Sequence, residues 1–233
     1  MKRILSLLLI AVPPLAAEPA IAQVRGVVEM FTSQGCSSCP PADKVLTGMS
    51  GTKDLITLSF PVDYWDYIGW KDTFAQHAFT LRQKAYANTR HDDNVYTPQA
   101  VIDGVGQTIG SNAADVRAKL AADRGKGGAL CVPTTLTRHD DGLVVNLSAP
   151  TCTAPAAADV WLLKLRARAT IKVGRGENAG HALTFSNIVL NMRQIGHWSG
   201  SAQTLKVAAP EGDYVVLVQQ GHGAVLGAAK IGP

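Results

Sequence analysis

The apolar and polar positions of residues 23–125 follow two different periods. Short apolar runs predict strands, and apolar residues spaced three and four positions apart predict amphipathic helices. Two prolines open one of these helices, in the first turn where missing N–H groups cost little. The predicted elements are strands at 24–31, 55–62 and 101–102 and helices at 40–49, 74–87 and 113–122. Alternating strands and helices favour an α/β arrangement with a partly parallel sheet.

Beyond the glycine-rich run 123–128, which predicts a linker, the pattern becomes that of strands alone. The turn sequence 139–142 predicts a hairpin, and the strand at 163–173 has apolar residues on one face and basic residues on the other. Predicted strands lie at 134–138, 143–148, 163–173, 183–192, 214–219 and 225–231. We therefore expect two domains, an α/β domain over 23–125 and a C-terminal all-β, sandwich-like domain over 126–233.

Residues 1–22 have the pattern of a signal peptide: Lys2 and Arg3, then a short apolar run, then small residues at a cleavage site after Ala22. An uncleaved anchor is the alternative, but the run is much shorter than the roughly 20 residues that span a bilayer. No later stretch is long and apolar enough for a membrane helix. We expect a periplasmic or secreted protein.

The net charge of +4 includes the predicted signal peptide, and cleavage would leave a chain with a charge of +3. That charge is too small to argue for a nucleic-acid partner. Export implies an oxidising compartment, where the four cysteines can form two disulfides.

Cys36 and Cys39 form a Cys-x-x-Cys motif between a predicted strand and a predicted helix. A helix N-terminus lowers the pKa of a nearby thiol, so we expect Cys36 to be the attacking thiolate and Cys39 the resolving thiol. Ser37 and Ser38 are expected to donate hydrogen bonds to the thiolate. A static structural disulfide and half of a zinc site are the alternatives, but zinc needs two more ligands, and no second Cys-x-x-Cys or histidine pair supplies them. We predict no metal and no cofactor.

The segment 96–104, with Thr97 before Pro98 and a short strand ending in Asp-Gly, resembles thioredoxin-like proteins. The resemblance implies that Pro98 is a cis-proline beside the thiol pair and that Thr97 docks a substrate chain. An ordinary trans-proline turn is the alternative.

Glu29 lies seven residues before Cys36, near the position where thioredoxins keep a buried carboxylate that relays protons. This resemblance implies a catalytic role for Glu29. A salt bridge with Lys44, or a place on an exposed edge, is the alternative.

A closer resemblance covers most of the chain after residue 22. The matching strings lie at 28–43, 62–72, 79–83, 95–99 and 174–180. They are similar to those of a secreted bacterial family known only as domain of unknown function 1223. The resemblance implies a thioredoxin-like fold, so we expect an α/β thioredoxin-like domain followed by the all-β domain. Pro61 stands where we expect a histidine in many relatives.

Three further features have no settled role. Trp65, in the loop after the second strand, either docks a peptide or packs the loop. The turn at 174–180 has more polar residues than a hairpin needs, although tight-turn geometry explains its glycines. Pairing across the 139–142 hairpin places Cys131 nearly opposite Cys152, which predicts a structural disulfide worth about 3 kcal/mol.

These observations predict an exported thiol-disulfide oxidoreductase that acts on protein or small-molecule thiols and disulfides. A non-catalytic thioredoxin-like binding module with a permanent disulfide is the alternative, and periplasmic metal handling is a second one. The direction of exchange and the oligomeric state do not follow from the sequence.

Overall fold

The computed structural model describes residues 23–153 and 157–232, so the predicted signal peptide lies outside the described residues. The helices are α1 (Pro40–Met49), α2 (His77–Arg90) and α3 (Ala113–Asp123). The strands are β1 (Gly26–Thr32), β2 (Leu55–Pro61), β3 (Gln99–Ile102), β4 (Gly106–Ile109), β5 (Thr134–His139), β6 (Gly142–Leu147), β7 (Ala158–Lys172), β8 (Ala182–Trp198), β9 (Gln203–Ala208), β10 (Asp213–Gln219) and β11 (Val225–Ile231).

Eight of these strands form one mixed sheet in the order β11-β10-β7-β8-β2-β1-β3-β4. Strand β2 runs parallel to β1 on one side and to β8 on the other, and the remaining pairs are antiparallel. Strands β5, β6 and β9 form a second, antiparallel sheet. The larger sheet therefore takes strands from both halves of the chain.

The expectation of a thioredoxin-like domain followed by a separate all-β domain is wrong. The two halves meet at the β2–β8 pair, where Ser59 is opposite Ile188, and the sheet continues across that pair without a break. The physical reason lies in β2, which is buried at every position and would leave an open hydrogen-bonding edge if the first half stood alone. Strand β8 pairs with that edge at Ser59.

One hydrophobic cluster likewise joins both halves, since Phe31 and Phe60 pack in it together with Leu163 and Val215. A second cluster holds the second sheet against the outer strands of the first. The core is continuous from α2 to strands β7, β8, β10 and β11.

The alternation of side chains along β1 decides which helix each residue meets. Val28 and Met30 pack with α1 and α3, whereas Val27 and Phe31 pack in the cluster that contains Phe79 and Tyr86 of α2. Even-numbered positions of β1 thus face α1, and odd-numbered positions face α2.

Candidate functional site

Cys36 and Cys39 lie in the segment that joins β1 to α1, and they are bonded to each other as a disulfide. Cys39 caps the N-terminus of α1 with helical backbone angles, and prolines occupy the first two helical positions. Both cysteines are fully buried, while Ser37 and Ser38 between them are exposed. The disulfide is therefore held at the start of the helix, beneath the two serines.

The backbone N–H groups of both cysteines donate hydrogen bonds within the segment 33–39. The Cys36 N–H donates to the Ser33 carbonyl at 3.2 Å, and the Cys39 N–H donates to the Cys36 carbonyl at 3.2 Å. The Ser38 hydroxyl lies beside the Cys36 sulfur, with its oxygen 3.3 Å from Cys36 Sγ. Of the two serines, Ser38 thus places its hydroxyl at the sulfur, whereas Ser37 contributes its backbone N–H to a hydrogen bond with Glu177.

The Thr97–Pro98 peptide bond is cis, and this segment lies against the disulfide. The Thr97 carbonyl oxygen is 3.9 Å from Cys36 Sγ and 3.5 Å from the Ser38 hydroxyl oxygen. Trp65 joins the group, because its indole N–H donates to Thr97 Oγ1 at 2.8 Å. The structure thus brings together Thr97, Pro98, Ser38 and Trp65 around Cys36.

The turn at 174–180 reaches the same place from the second half of the chain. Asn178, which is buried, donates from Nδ2 to the carbonyls of Gln34 and Cys36, both at 2.9 Å. The neighbouring Glu177 carboxylate accepts the Ser37 N–H at 3.1 Å. Asn178 and Glu177 thus bind the backbone of the cysteine segment through three hydrogen bonds. Their surplus of polar side chains over what a turn requires was the signal for this role.

The Trp70 ring packs against the turn at 174–180. A side-chain atom added to Gly174 would lie 3.1 Å from the Trp70 ring, so glycine permits the close approach. Trp70 also donates to the Gln34 side chain at 2.9 Å. The Gln34 backbone N–H donates in turn to buried Asp72 at 2.7 Å. The cysteine segment, the loop at 63–72 and the turn at 174–180 thus form one connected unit.

Glu29 lies away from this unit, on the α2 face of the sheet. Its carboxylate accepts two hydrogen bonds from Arg82, both at 2.7 Å, and a third from the Tyr86 hydroxyl at 2.7 Å. Burial alone would lower the pKa of Arg82, but the charge of Glu29 raises it above its usual value. The structure pairs Glu29 with Arg82 and not with Lys44.

Asp43 is a buried carboxyl that sequence reasoning missed. It lies on α1, 3 % exposed, and accepts a hydrogen bond from the Thr32 hydroxyl at 2.9 Å through Oδ1. Its other oxygen, Oδ2, is buried without a hydrogen-bond partner. Burial raises the pKa of Asp43 to about 8, with a smaller contribution from the charge of Asp72, and the Thr32 hydrogen bond acts in the opposite direction.

A signal for Asp43 was present in the sequence. The buried positions of α1 are Ala42, Asp43, Leu46 and Met49, and Cys39 precedes them by one turn. Residues 39, 42, 46 and 49 have the spacing of one helix face, and position 43 falls on that face.

Cys131 and Cys152 form the second disulfide, near the start of β5. The Cys131 carbonyl accepts hydrogen bonds from the N–H and the hydroxyl of Thr151, at 2.8 and 3.0 Å. This disulfide therefore joins the segment that precedes β5 to the segment that follows β6.

Among residues 23–153 and 157–232, no three His, Cys, Asp or Glu side chains come together as a metal site. No helix in that same part of the chain is long and apolar enough to cross a membrane.

A protein-family profile described as "Protein of unknown function (DUF1223)" matches residues 27–219. No curated protein matches the chain. The crystal structure of protein AGR_C_4864 from Agrobacterium tumefaciens is similar, with 33% identity, a TM-score of 0.79, and coverage of 90% of this chain and 94% of that one. A structure of HBP35 of Porphyromonas gingivalis has 12% identity and a TM-score of 0.59 over 92% of this chain and 76% of that one, which is a likeness of fold alone.

Proposed function

We propose that this chain, which belongs to the DUF1223 family of proteins of unknown function, is an exported thiol-disulfide oxidoreductase acting on protein or small-molecule thiols and disulfides. The observation that carries the proposal is the Cys36–Cys39 disulfide at the N-terminus of α1, with the Thr97 carbonyl 3.9 Å from the Cys36 sulfur. Two cysteines one turn apart exchange a disulfide for two thiols with little movement of the helix.

The proposed reaction proceeds in two balanced exchanges. In the reduced protein, the Cys36 thiolate attacks one sulfur of a substrate disulfide, and the other substrate sulfur leaves as a thiolate. The Cys39 thiolate then attacks Cys36 Sγ and releases the second substrate sulfur. The substrate disulfide is reduced and the Cys36–Cys39 disulfide is formed; the reverse sequence oxidises a substrate dithiol.

The neighbours of Cys36 have distinct parts in this proposal. Ser38 donates its hydroxyl hydrogen to the thiolate, which the oxygen-to-sulfur distance of 3.3 Å permits. Thr97 and Pro98 present backbone to the substrate chain, and Trp65 fixes the Thr97 side chain through its indole N–H. Because Cys36 is fully buried, substrate entry requires the cover formed by the turn at 174–180 and the exposed serines to open.

A Cys39→Ser variant tests the proposal, since it stops the reaction after the first exchange. We expect stable mixed disulfides through Cys36 with an added disulfide peptide, identified by mass spectrometry. Cys152→Ser, which leaves a lone thiol at Cys131 in the other disulfide, is the matched control and should trap none. A Cys39→Ser protein that forms no mixed disulfide would contradict the proposal.

One observation favours a second candidate, a non-catalytic binding module with a permanent disulfide. Both Cys36 and Cys39 are fully buried, and buried disulfides are commonly structural. The reduction potential separates the two functions. A value of about −120 to −270 mV supports the oxidoreductase, and a value below roughly −300 mV supports the binding module.

Export is part of the proposal. Two disulfides among the described residues support an oxidising compartment, where such bonds persist. Periplasmic or secreted location is tested by fractionation of cells that express the full chain. Recovery in the cytoplasm with all four thiols reduced would contradict it.

A further inference from the structure

We infer that Asp43 is the group that takes the proton from Cys39 when Cys39 resolves a mixed disulfide, and that returns it in the reverse reaction. The inference rests on the proposed function and assigns one step of it to a residue outside the Cys-x-x-Cys motif. It is carried by the position of Asp43, its unpartnered oxygen and a cavity beside it.

The position of Asp43 relative to Cys39 follows from the helix. The Asp43 N–H donates to the Cys39 carbonyl at 3.1 Å, and Cys39 has helical backbone angles, so the two residues are related as i and i+4. Side chains with that relation lie on one face, with their Cβ atoms about 5–6 Å apart. Both residues are buried, so the carboxyl and the Cys39 sulfur lie on the same buried face of the helix.

One carboxyl oxygen of Asp43, Oδ2, is free to accept a proton. Thr32 occupies Oδ1, and Oδ2 has no partner. A buried carboxyl oxygen without a partner costs about 1–3 kcal/mol, so its retention calls for an explanation. A carboxyl that alternates between ionised and protonated states during turnover provides one.

A cavity of about 300 Å³ beside α1 gives the proton a route to solvent. Asp43 lines it together with Lys44, Thr47 and Arg168. The volume is enough for several waters, each of which needs about 30 Å³, and the hydroxyl and basic groups supply the polar partners that such waters require.

The charged groups around Asp43 set the pH range of its action. The Thr32 hydroxyl favours the carboxylate of Asp43, whereas the charge of Asp72 favours the protonated form. Lys44, next to Asp43 on α1, and Arg168 of β7 also line the cavity, and both are exposed. With a pKa of about 8, the ionised fraction of Asp43 rises through the range in which a thiol also ionises.

The chemical step balances without an external reactant other than the substrate disulfide. The Asp43 carboxylate accepts the Cys39 thiol proton, directly or through a cavity water. The resulting Cys39 thiolate attacks Cys36 Sγ, the sulfur–sulfur bond between Cys36 and the substrate breaks, and the substrate leaves as a thiolate. The proton on Asp43 then passes to water.

The test uses 5,5′-dithiobis(2-nitrobenzoic acid) with the reduced protein, because each exchange releases one coloured thiolate. The first release reports attack by Cys36, and the second reports resolution by Cys39; Cys39→Ser should show the first release alone. In the wild type, we expect the second rate to rise with pH around 8. Asp43→Asn should slow that second release about 100-fold near pH 8 and leave the first unchanged, as loss of a general base typically does.

Two further variants make the readout specific. Thr32→Val removes the hydrogen bond that favours the Asp43 carboxylate, so we expect the midpoint of the second-release profile to move to higher pH. Asp115→Asn removes an exposed carboxyl from the first turn of α3 and should change neither release.

The outcomes separate this inference from the proposed function. A normal first release with an unchanged second rate and pH profile in Asp43→Asn would overturn the role of Asp43 alone. A wild-type protein with no rapid first release would overturn the proposed function, and the role of Asp43 with it.

Discussion

Replacing Asp43 with asparagine should change the pH dependence of stability in a defined direction. The pKa of this carboxyl is raised from 3.8 to about 8 in the folded chain, mainly by burial. The folded chain therefore holds the proton more tightly than the unfolded chain. Below the unfolded value of 3.8 the group has no effect on stability, and as pH rises from there towards 8 the free energy of unfolding falls.

The magnitude follows from the size of the shift. Each unit is worth about 1.36 kcal/mol, so near pH 7, roughly three units above the unfolded value, Asp43 costs the fold about 4 kcal/mol. Asparagine keeps the acceptor for the Thr32 hydroxyl and removes the charge, but it buries an amide donor in place of Oδ2, at a cost of about 1–3 kcal/mol. The variant should be about 1–3 kcal/mol more stable than wild type at pH 7 and lose that advantage near pH 5.

Urea unfolding of the oxidised proteins at several pH values between about 4 and 9 measures this difference. Asp103, another carboxyl with a raised pKa, is present in both proteins and cancels, whereas Asp72, whose charge acts on Asp43, contributes part of the measured difference. Asp115→Asn controls for the loss of an exposed charge, and its difference from wild type should be flat. A flat Asp43→Asn difference over the same range would refute the reasoning.

Three other substitutions test the rest of the structure. Cys131→Ala with Cys152→Ala should cost about 3 kcal/mol, because the disulfide closes a long loop; unchanged urea unfolding would contradict this. Asn178→Ala removes two buried hydrogen bonds from the cysteine segment, so dithiothreitol should reduce the adjacent disulfide about tenfold faster; an unaltered rate would mean that the turn is not the cover. Glu29→Gln breaks a buried ion pair with Arg82 and should cost about 3–5 kcal/mol in thermal or urea unfolding. An altered pH profile of thiol release in that variant would support the proton-relay role that the thioredoxin resemblance implies for Glu29.

The local elements were predictable because their signals are local. Two prolines in the first turn predicted the helix at 40–49, and the structure has α1 at Pro40–Met49. The amphipathic pattern at 74–87 located α2, which the structure places three residues later, at His77–Arg90. Strand β4, of four residues, was not predicted, and neither was β9 (Gln203–Ala208), whose inward and outward positions are both only partly buried or exposed. Short or weakly patterned strands give too little periodicity to detect.

The division into separate domains failed because the decisive pairing is not local. Strands β2 and β8 are joined through Ser59 and Ile188, and nothing in the pattern of either segment specifies the other as its partner. The continuous burial of Leu55–Pro61 was the available sign, since a strand covered on both faces belongs inside a sheet and needs a neighbour on each edge.

In the candidate site, too, the sequence pattern did not specify which distant residue each side chain contacts. Glu29 and Thr32 lie on one strand, but the side chains of successive residues point to opposite faces, so only the even-numbered residue of the two faces α1. Thr32 therefore meets Asp43, and Glu29 meets Arg82. Strand parity and helix spacing locate the buried carboxyl of Asp43, which sequence distance from Cys36 does not.

The second half of the chain has a more direct part in the site than a separate domain would have. Asn178 and Glu177 bind the backbone of the cysteine segment, and Arg168 lines the cavity beside Asp43. These residues can reach the site only because β7 and β8 continue the sheet that carries β1. In the proposed reaction, access to Cys36 and proton exit from Cys39 therefore both lie beside the β7–β8 hairpin, because its turn binds the cysteine segment and the start of β8 lines the cavity beside Asp43.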